Sequence, residues 1–160
     1  MSSLREEAIA NLLSTVAVID GIRGAIDEVP FDYRKPPLPR PGFGKAYHPY
    51  AYIFDGEELP TRSEEYHGFY YCDLPVTVEV TFEYSATSGD GLKQKGRAIL
   101  AAIQRGVMAD PSRGGVAMMT LEDRNAIEET AAELLGVVVW QGRVQYLRAL
   151  TDPASRDGMM

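Results

Sequence analysis

From Val76 to Tyr84 apolar and polar residues alternate without a break. Val76, Val78, Val80, Phe82 and Tyr84 fall on one side of an extended chain, and Thr77, Glu79, Thr81 and Glu83 on the other. A period of two is the signature of a β-strand, whose successive side chains point to opposite faces. One apolar face and one polar face describe an antiparallel sheet with one side packed and the other in water. The chain is thereby restricted to folds in which something apolar covers one side of a sheet.

Two segments have the stripe to do the covering. Over residues 4–16, Leu4, Ala8, Ile9, Leu12, Leu13 and Val16 recur with the 3.6-residue period of a helix. Ser3 with Glu6 fits a capping box, Glu6 and Glu7 suit the positive end of the helix dipole, and Gly21 and Gly24 end the pattern. Over residues 92–109, Leu92, Gly96, Ile99, Leu100, Ile103 and Val107 form a second stripe, with Asp90 as the expected N-cap and Pro111 beyond its end. Thr120 and Asp123 suggest a cap for a third, thinner helix running to about Leu135. Strands are expected at 47–54, where Pro49 would delay the pairing, and at 137–140 and 144–150, turned at Gln141, Gly142 and Arg143. The expected architecture is α+β: a mostly antiparallel sheet with two to three helices packed on one face.

Between the first helix and the alternating strand the composition changes. Pro36, Pro37, Pro39 and Pro41 sit among Arg34, Lys35, Arg40 and Lys45, and eight of the nine tyrosines fall between Tyr33 and Tyr84. Proline without a backbone donor favours an extended arm or loop here. Tyrosine offers large amphipathic contact area at small entropic cost, so an arm of this kind suits docking on a neighbour as well as covering its own core. Tyr33, Tyr47, Tyr50, Tyr66, Phe69, Tyr70 and Tyr71 are the interface candidates. The chain divides into an N-terminal helix (1–20), the extended region with its short strand (30–73), the sheet and helix core (74–150) and a frayed tail (151–160), all in one domain.

A chain of 160 residues buries roughly 70% of its unfolded surface and needs neither metal nor disulfide to fold. Its single cysteine, Cys72, excludes an intrachain disulfide. No apolar run approaches the roughly 18 residues of a membrane span, and the start of the chain is too acidic for a signal peptide, so a soluble intracellular protein is expected. The net charge of −7 is unevenly spread: residues 55–90 hold nine acids against Arg62 alone, whereas residues 91–113 hold five basic residues against Asp110. This disfavours tight nucleic-acid binding, which needs a dense basic stripe.

Motifs for chemistry come close and fail. Gly91 and Gly96 have the spacing of a phosphate-binding loop, but Arg97 and Ala98 stand where the lysine and the magnesium-binding hydroxyl are needed. His48 and His67 lie far apart without clustered carboxylates. Cys72 has no basic neighbour in sequence to lower its pKa, and reads as a small half-buried hydrophobe. Glu57, Glu58, Glu64 and Glu65 read as solvated acidic loops rather than paired catalytic acids. No catalytic residue, cofactor site or metal site is expected.

The layout resembles the phage tail terminator, or tail completion, proteins. The matching pieces are the opening helix from Arg5 to Leu13 with Asp20 and Gly21 after it, a proline-marked segment leading to Tyr50, Ala51, Tyr52, Ile53, Phe54, Asp55 and Gly56, and the alternating strand at 76–84. A helix at Gly96, Arg97 and Ala98 and a closing strand with Tyr146, Leu147 and Arg148 before Asp152 and Pro153 complete it. The resemblance covers nearly the whole chain and implies a structural virion protein, assembled in the host cytoplasm. It would form a ring, usually a hexamer, at the head-proximal end of the tail. The implied partners are further copies of itself, the tail tube protein and the head–tail connector, with DNA passing through the lumen unbound and no membrane involved. Other neck proteins, and a ligand-binding or enzymatic α+β domain with a pocket under the tyrosine-rich segment, are the alternatives.

Overall fold

The computed structural model describes residues 3–27, 49–85, 91–130 and 134–151. The arm at 36–41, Tyr33, Tyr47, His48, Asp90 and the tail beyond Thr151 lie outside the described residues. Two helices, α1 (Leu4–Ala17) and α2 (Leu92–Met108), accompany six strands: β1 (Ala25–Asp27), β2 (Tyr50–Asp55), β3 (Leu59–Arg62), β4 (Phe69–Glu83), β5 (Met119–Glu129) and β6 (Leu135–Ala149). The strands form one sheet in the order β1-β2-β4-β6-β5, with β3 also paired to β4. All pairs are antiparallel except β1 with β2, which are parallel. The fold is α+β, with both helices packed against the sheet.

The first helix forms as its sequence requires. Ser3 accepts from the Glu6 amide and the Glu6 carboxylate accepts from the Ser3 amide, each at 3.1 Å, closing the capping box. Leu4, Ala8, Ile9, Leu12 and Val16 are buried. They join Val76, Val78, Val80, Phe82, Ile103, Val107, Val138 and Trp140 in a single core, with Leu13 and Ile99 packed at its margin. The second helix starts from Gly91, which caps without a side-chain bond. Gly96 lets it approach the sheet closely, since a Cβ there would stand 2.5 Å from Ile127 on β5.

Three expectations need correction. The helix expected from Thr120 to about Leu135 is instead the strand β5. Its apolar stripe was too thin to hold a helix on the core, whereas the full edge of β6 offers it backbone hydrogen bonds from Met119 to Glu129. A register shift between Glu122 and Arg124 breaks the alternation that would have revealed it. The turn expected at Gln141–Arg143 is absent, and β6 runs unbroken for 15 residues. Gly142 makes room rather than a bend: a Cβ would meet the Trp140 ring at 2.5 Å and the Leu121 carbonyl oxygen.

The alternating strand also starts earlier, at Phe69, and runs straight through Pro75. In a strand, a residue's N–H and C=O point to the same edge. The Pro75 carbonyl accepts from the Gly56 amide at 2.8 Å, so its missing donor faces the gap between β2 and β3. The third correction concerns the polar face of this strand. Glu79 and Thr81 are buried, at 4% and 1% exposure, where water was expected. Tyr52 on β2 and Val139 on β6 flank Glu79 directly, and Tyr52 is itself buried.

Candidate functional site

The densest polar cluster lies where β3 leaves the sheet. Glu58 precedes β3, while Cys72, on β4, pairs with Tyr146 on β6. The buried Tyr146 hydroxyl donates to Glu58 Oε1, and Arg148 Nε stands 3.5 Å from Glu58 Oε2. The Arg148 guanidinium also lies 5.0 Å above the Tyr70 ring, a cation–π distance. Burial and the Glu58 carboxylate hold the Tyr146 phenol well above its usual range. Burial first, then Glu58, pushes the Cys72 thiol up to about 11. A protonated, buried thiol is not a nucleophile, so the expected reading of Cys72 as a small hydrophobe stands.

Five of the seven interface candidates lie among the described residues, with Phe69, Tyr70 and Tyr71 on β4 beside this cluster, Tyr66 on the connection before them, and Tyr50 opposite Thr81 toward the other end of β4. Tyr50 is half-buried in β2, its ring 5.9 Å from that of Tyr52. Phe69 is buried, and Tyr66 and Tyr70 are half-buried. The Tyr71 hydroxyl donates to Glu65 at 3.3 Å. These rings and hydroxyls are largely engaged within the subunit. Tyr33 and Tyr47 lie outside the described residues.

Other polar groups are also turned on each other. Arg5 on α1 reaches Asp55 at 2.5 Å and the Gly56 carbonyl at 2.8 Å, tying α1 to the end of β2. A hollow of about 310 Å3 opens beside them, lined by Ser3, Arg5, Glu6, Ile9, Leu13 and Asp55. At the end of α2 the fully buried Arg113 donates to the carbonyls of Val107 and Asp110, satisfying acceptors that a helix C-terminus leaves open. Asp110 in turn accepts from the Ser112 hydroxyl and the Gly114 amide, and these bonds hold its carboxyl below the usual range. The Glu58–Tyr146–Arg148 cluster had no signal in the sequence, since it joins distant residues by contact, whereas the Arg113 cap is local, reaching back three and six residues, and its signal was a basic residue just after the helix end.

Glu79 is one of several buried polar groups with an unpaired atom among the described residues, with Asn11 Oδ1, Arg113 Nε and Nη1 and Trp140 Nε1. The Glu79 Oε2 has no hydrogen-bond partner, and burial, assisted by the Glu128 charge, raises its pKa to about 7. The residues of the failed phosphate motif, Arg97 and Ala98, are exposed on α2. His67 is exposed, as are Glu57, Glu64 and Glu65. Among the described residues no group of three or more His, Cys, Asp or Glu is placed to hold a metal ion. Among them also no helix is long and apolar enough to cross a membrane.

The surface, by contrast, carries unspent groups. Lys93, Arg97 and Arg105 are exposed on α2, a helix without a single acid. Leu59 on β3 is 54% exposed, and Met108, Met118 and Met119 are exposed around the end of α2 and the start of β5. Together these features define an α+β domain whose Glu58, Arg5 and Arg113 clusters are paired internally and whose cationic and methionine-bearing groups on and beside α2 face outward. No family model matches the chain, and no curated protein matches it. Among solved structures it is similar to a chain of the virion of a native gene transfer agent particle, with 12% identity over 91% of this chain and 92% of that chain and a TM-score of 0.38.

Proposed function

We propose that the chain is a structural virion protein of the tail terminator kind, a subunit of a ring that closes the head-proximal end of a phage tail. The observation that carries this reading is where the polar side chains are spent. Glu58, Tyr146 and Arg148, Arg5 and Asp55, and Arg113 with the α2 carbonyls are each paired internally, as in a scaffold. Charge and bulky apolar side chains are left for the outside, on α2, on β3 and on the turn after it. The element order supports the same reading: an opening helix, an extended region, the long alternating strand, a second helix and a closing strand follow one another as in the family the sequence resembles.

In this reading the protein does no chemistry. The ring sits on the last ring of tube subunits, stops further addition by occluding its end, and offers its other face to the connector. A closed ring of identical subunits uses two different complementary patches on each copy. The acids of residues 55–90 that reach the surface face the lumen in part, where negative charge keeps passing DNA from adhering. The experiment is to remove the protein during phage assembly and image the products by electron microscopy. Tails of irregular, excess length that fail to join heads are expected. Tails of normal length on filled particles would refute the assignment.

A further inference from the structure

We infer that the contact between copies runs from the cationic outer face of α2 on one subunit to the acidic hairpin around β3 on the next. The inference rests on the ring reading above and assigns its two patches. Lys93, Arg97 and Arg105 project from α2 into solvent, that helix carries no acid, and among the described residues no ion pair engages them. Lys95, half-buried, adds a fourth charge beside them. Met108 ends the same helix, and Met118 and Met119 follow on the connection into β5.

The complementary surface is on the other flank of the sheet. Glu57, Glu64 and Glu65 are exposed around β3, all four of whose residues are exposed, and Leu59 stands among them. Arg62 on β3 is an exposed cation within the second patch, but the three glutamates outweigh it, so each patch joins an excess of one charge to an apolar centre and the two are opposite in sign. Their placement matters as much as their chemistry. The second helix lies over β5 and β6, at one end of the strand order, while β3 borders β4 from the other side. Three strand spacings, about 14 Å, separate β3 from β5. Patches on opposite flanks cannot neutralise each other within one copy. They meet when copies are laid side by side in the same sense, which is the head-to-tail contact that a ring needs. Lys and Glu at the rim set register and encounter rate, and Leu59 against the methionines supplies dry area at the centre.

The test is a charge exchange read by sedimentation and light scattering of the full chain. Wild type should associate at 0.05 M salt and dissociate on raising it to about 0.5 M, because exposed pairs are screened. Lys93→Glu with Arg97→Glu and Arg105→Glu should weaken association at least about tenfold, and so should Glu57→Lys with Glu64→Lys and Glu65→Lys. All six positions are exposed, so circular dichroism and melting should stay near wild type. Mixing the two triple variants should restore assembly with copies alternating, and one chain carrying all six changes should assemble by itself. The inference is overturned if the triple variants assemble as wild type does, or if the mixture fails to assemble. It also falls if the α2 variant keeps its assembly and loses only retention on DNA, which would mark α2 as a nucleic-acid face. Rings that form despite the α2 and β3 changes would remove this interface and leave the tail terminator reading standing. A chain that stays monomeric at every concentration would remove both.

Discussion

Replacing Glu79 by Gln should stabilise the protein at alkaline pH and leave it unchanged in acid. Glu79 is 4% exposed, its Oε2 is without a partner, and its pKa is raised from 4.5 to about 7, first by burial and then by Glu128. Below pH 4.5 the carboxyl is protonated whether the chain is folded or not, and it does not affect the balance. Between 4.5 and 7 the unfolded chain loses this proton first, so stability falls as pH rises. Above 7 the folded state has ionised as well, and the full penalty of about 3 kcal/mol is present. Glutamine has nearly the same shape and no charge at any pH. The variant should therefore gain about 2–3 kcal/mol at pH 8, which for a domain of this size raises Tm by roughly 5–10 °C. Urea melts followed by circular dichroism from pH 4.5 to 8, at concentrations where the chain is monomeric, would measure it. Glu128→Gln should move the fall in stability to lower pH, because it removes the smaller of the two causes. A wild-type curve flat between pH 4.5 and 8, or the same slope in Glu79→Gln, would refute the reasoning.

Two further outcomes follow from the packing. Cys72 should resist a thiol reagent in the folded protein at pH 8 and react only through an opening of the structure, because it is 1% exposed and its thiol is held up to about 11; labelling as fast as that of the unfolded chain would show that the thiol is not buried. Gly96→Ala should destabilise by about 1 kcal/mol despite the better helix propensity of alanine, since its Cβ would stand 2.5 Å from Ile127 and overpacking outweighs a propensity gain of similar size. Adding Ile127→Ala should turn the same change favourable relative to Ile127→Ala alone, and thermal melts of the four proteins would decide.

Periodicity made α1, α2 and the middle of β4 legible, because each buries one face and its sequence repeats with that face. The capping box at Ser3 and Glu6 was readable for the same reason: both of its bonds span three residues. What periodicity could not show is pairing. The strand β5 has a bulge in its middle and one solvent edge, so its pattern resembled a poor helix until β6 was there to receive its backbone. Three-residue β1 is too short to carry a pattern, and it exists through its parallel pairing with β2. The alternation at 76–84 did not show that the strand continues back through Pro75 to Phe69, because sequence does not tell which edge of a strand lacks a partner. The same holds for the polar clusters. Glu58 and Tyr146 stand 88 positions apart, and only the register of β4 on β6 brings them together. Glu79 looked like a solvent-facing residue because alternation assigns a face and does not say whether that face is wet.

The interruption at Pro75 divides one border of β4 into two independent ladders. Residues 76–81 pair with β2 and residues 70–73 with β3, and between them Pro75 only accepts, from the Gly56 amide, having no N–H to donate. Cooperative loss of pairing spreads along a border by successive breakage, and here it meets a stop. The hairpin of β3 can therefore lift away or re-form without loosening β2 or the helices above it. Amides of β3 should exchange with solvent through a local opening of low free energy, while those of β2 and β4 wait for global unfolding. A chain built this way can rearrange the border at β3 while its core stays fully folded.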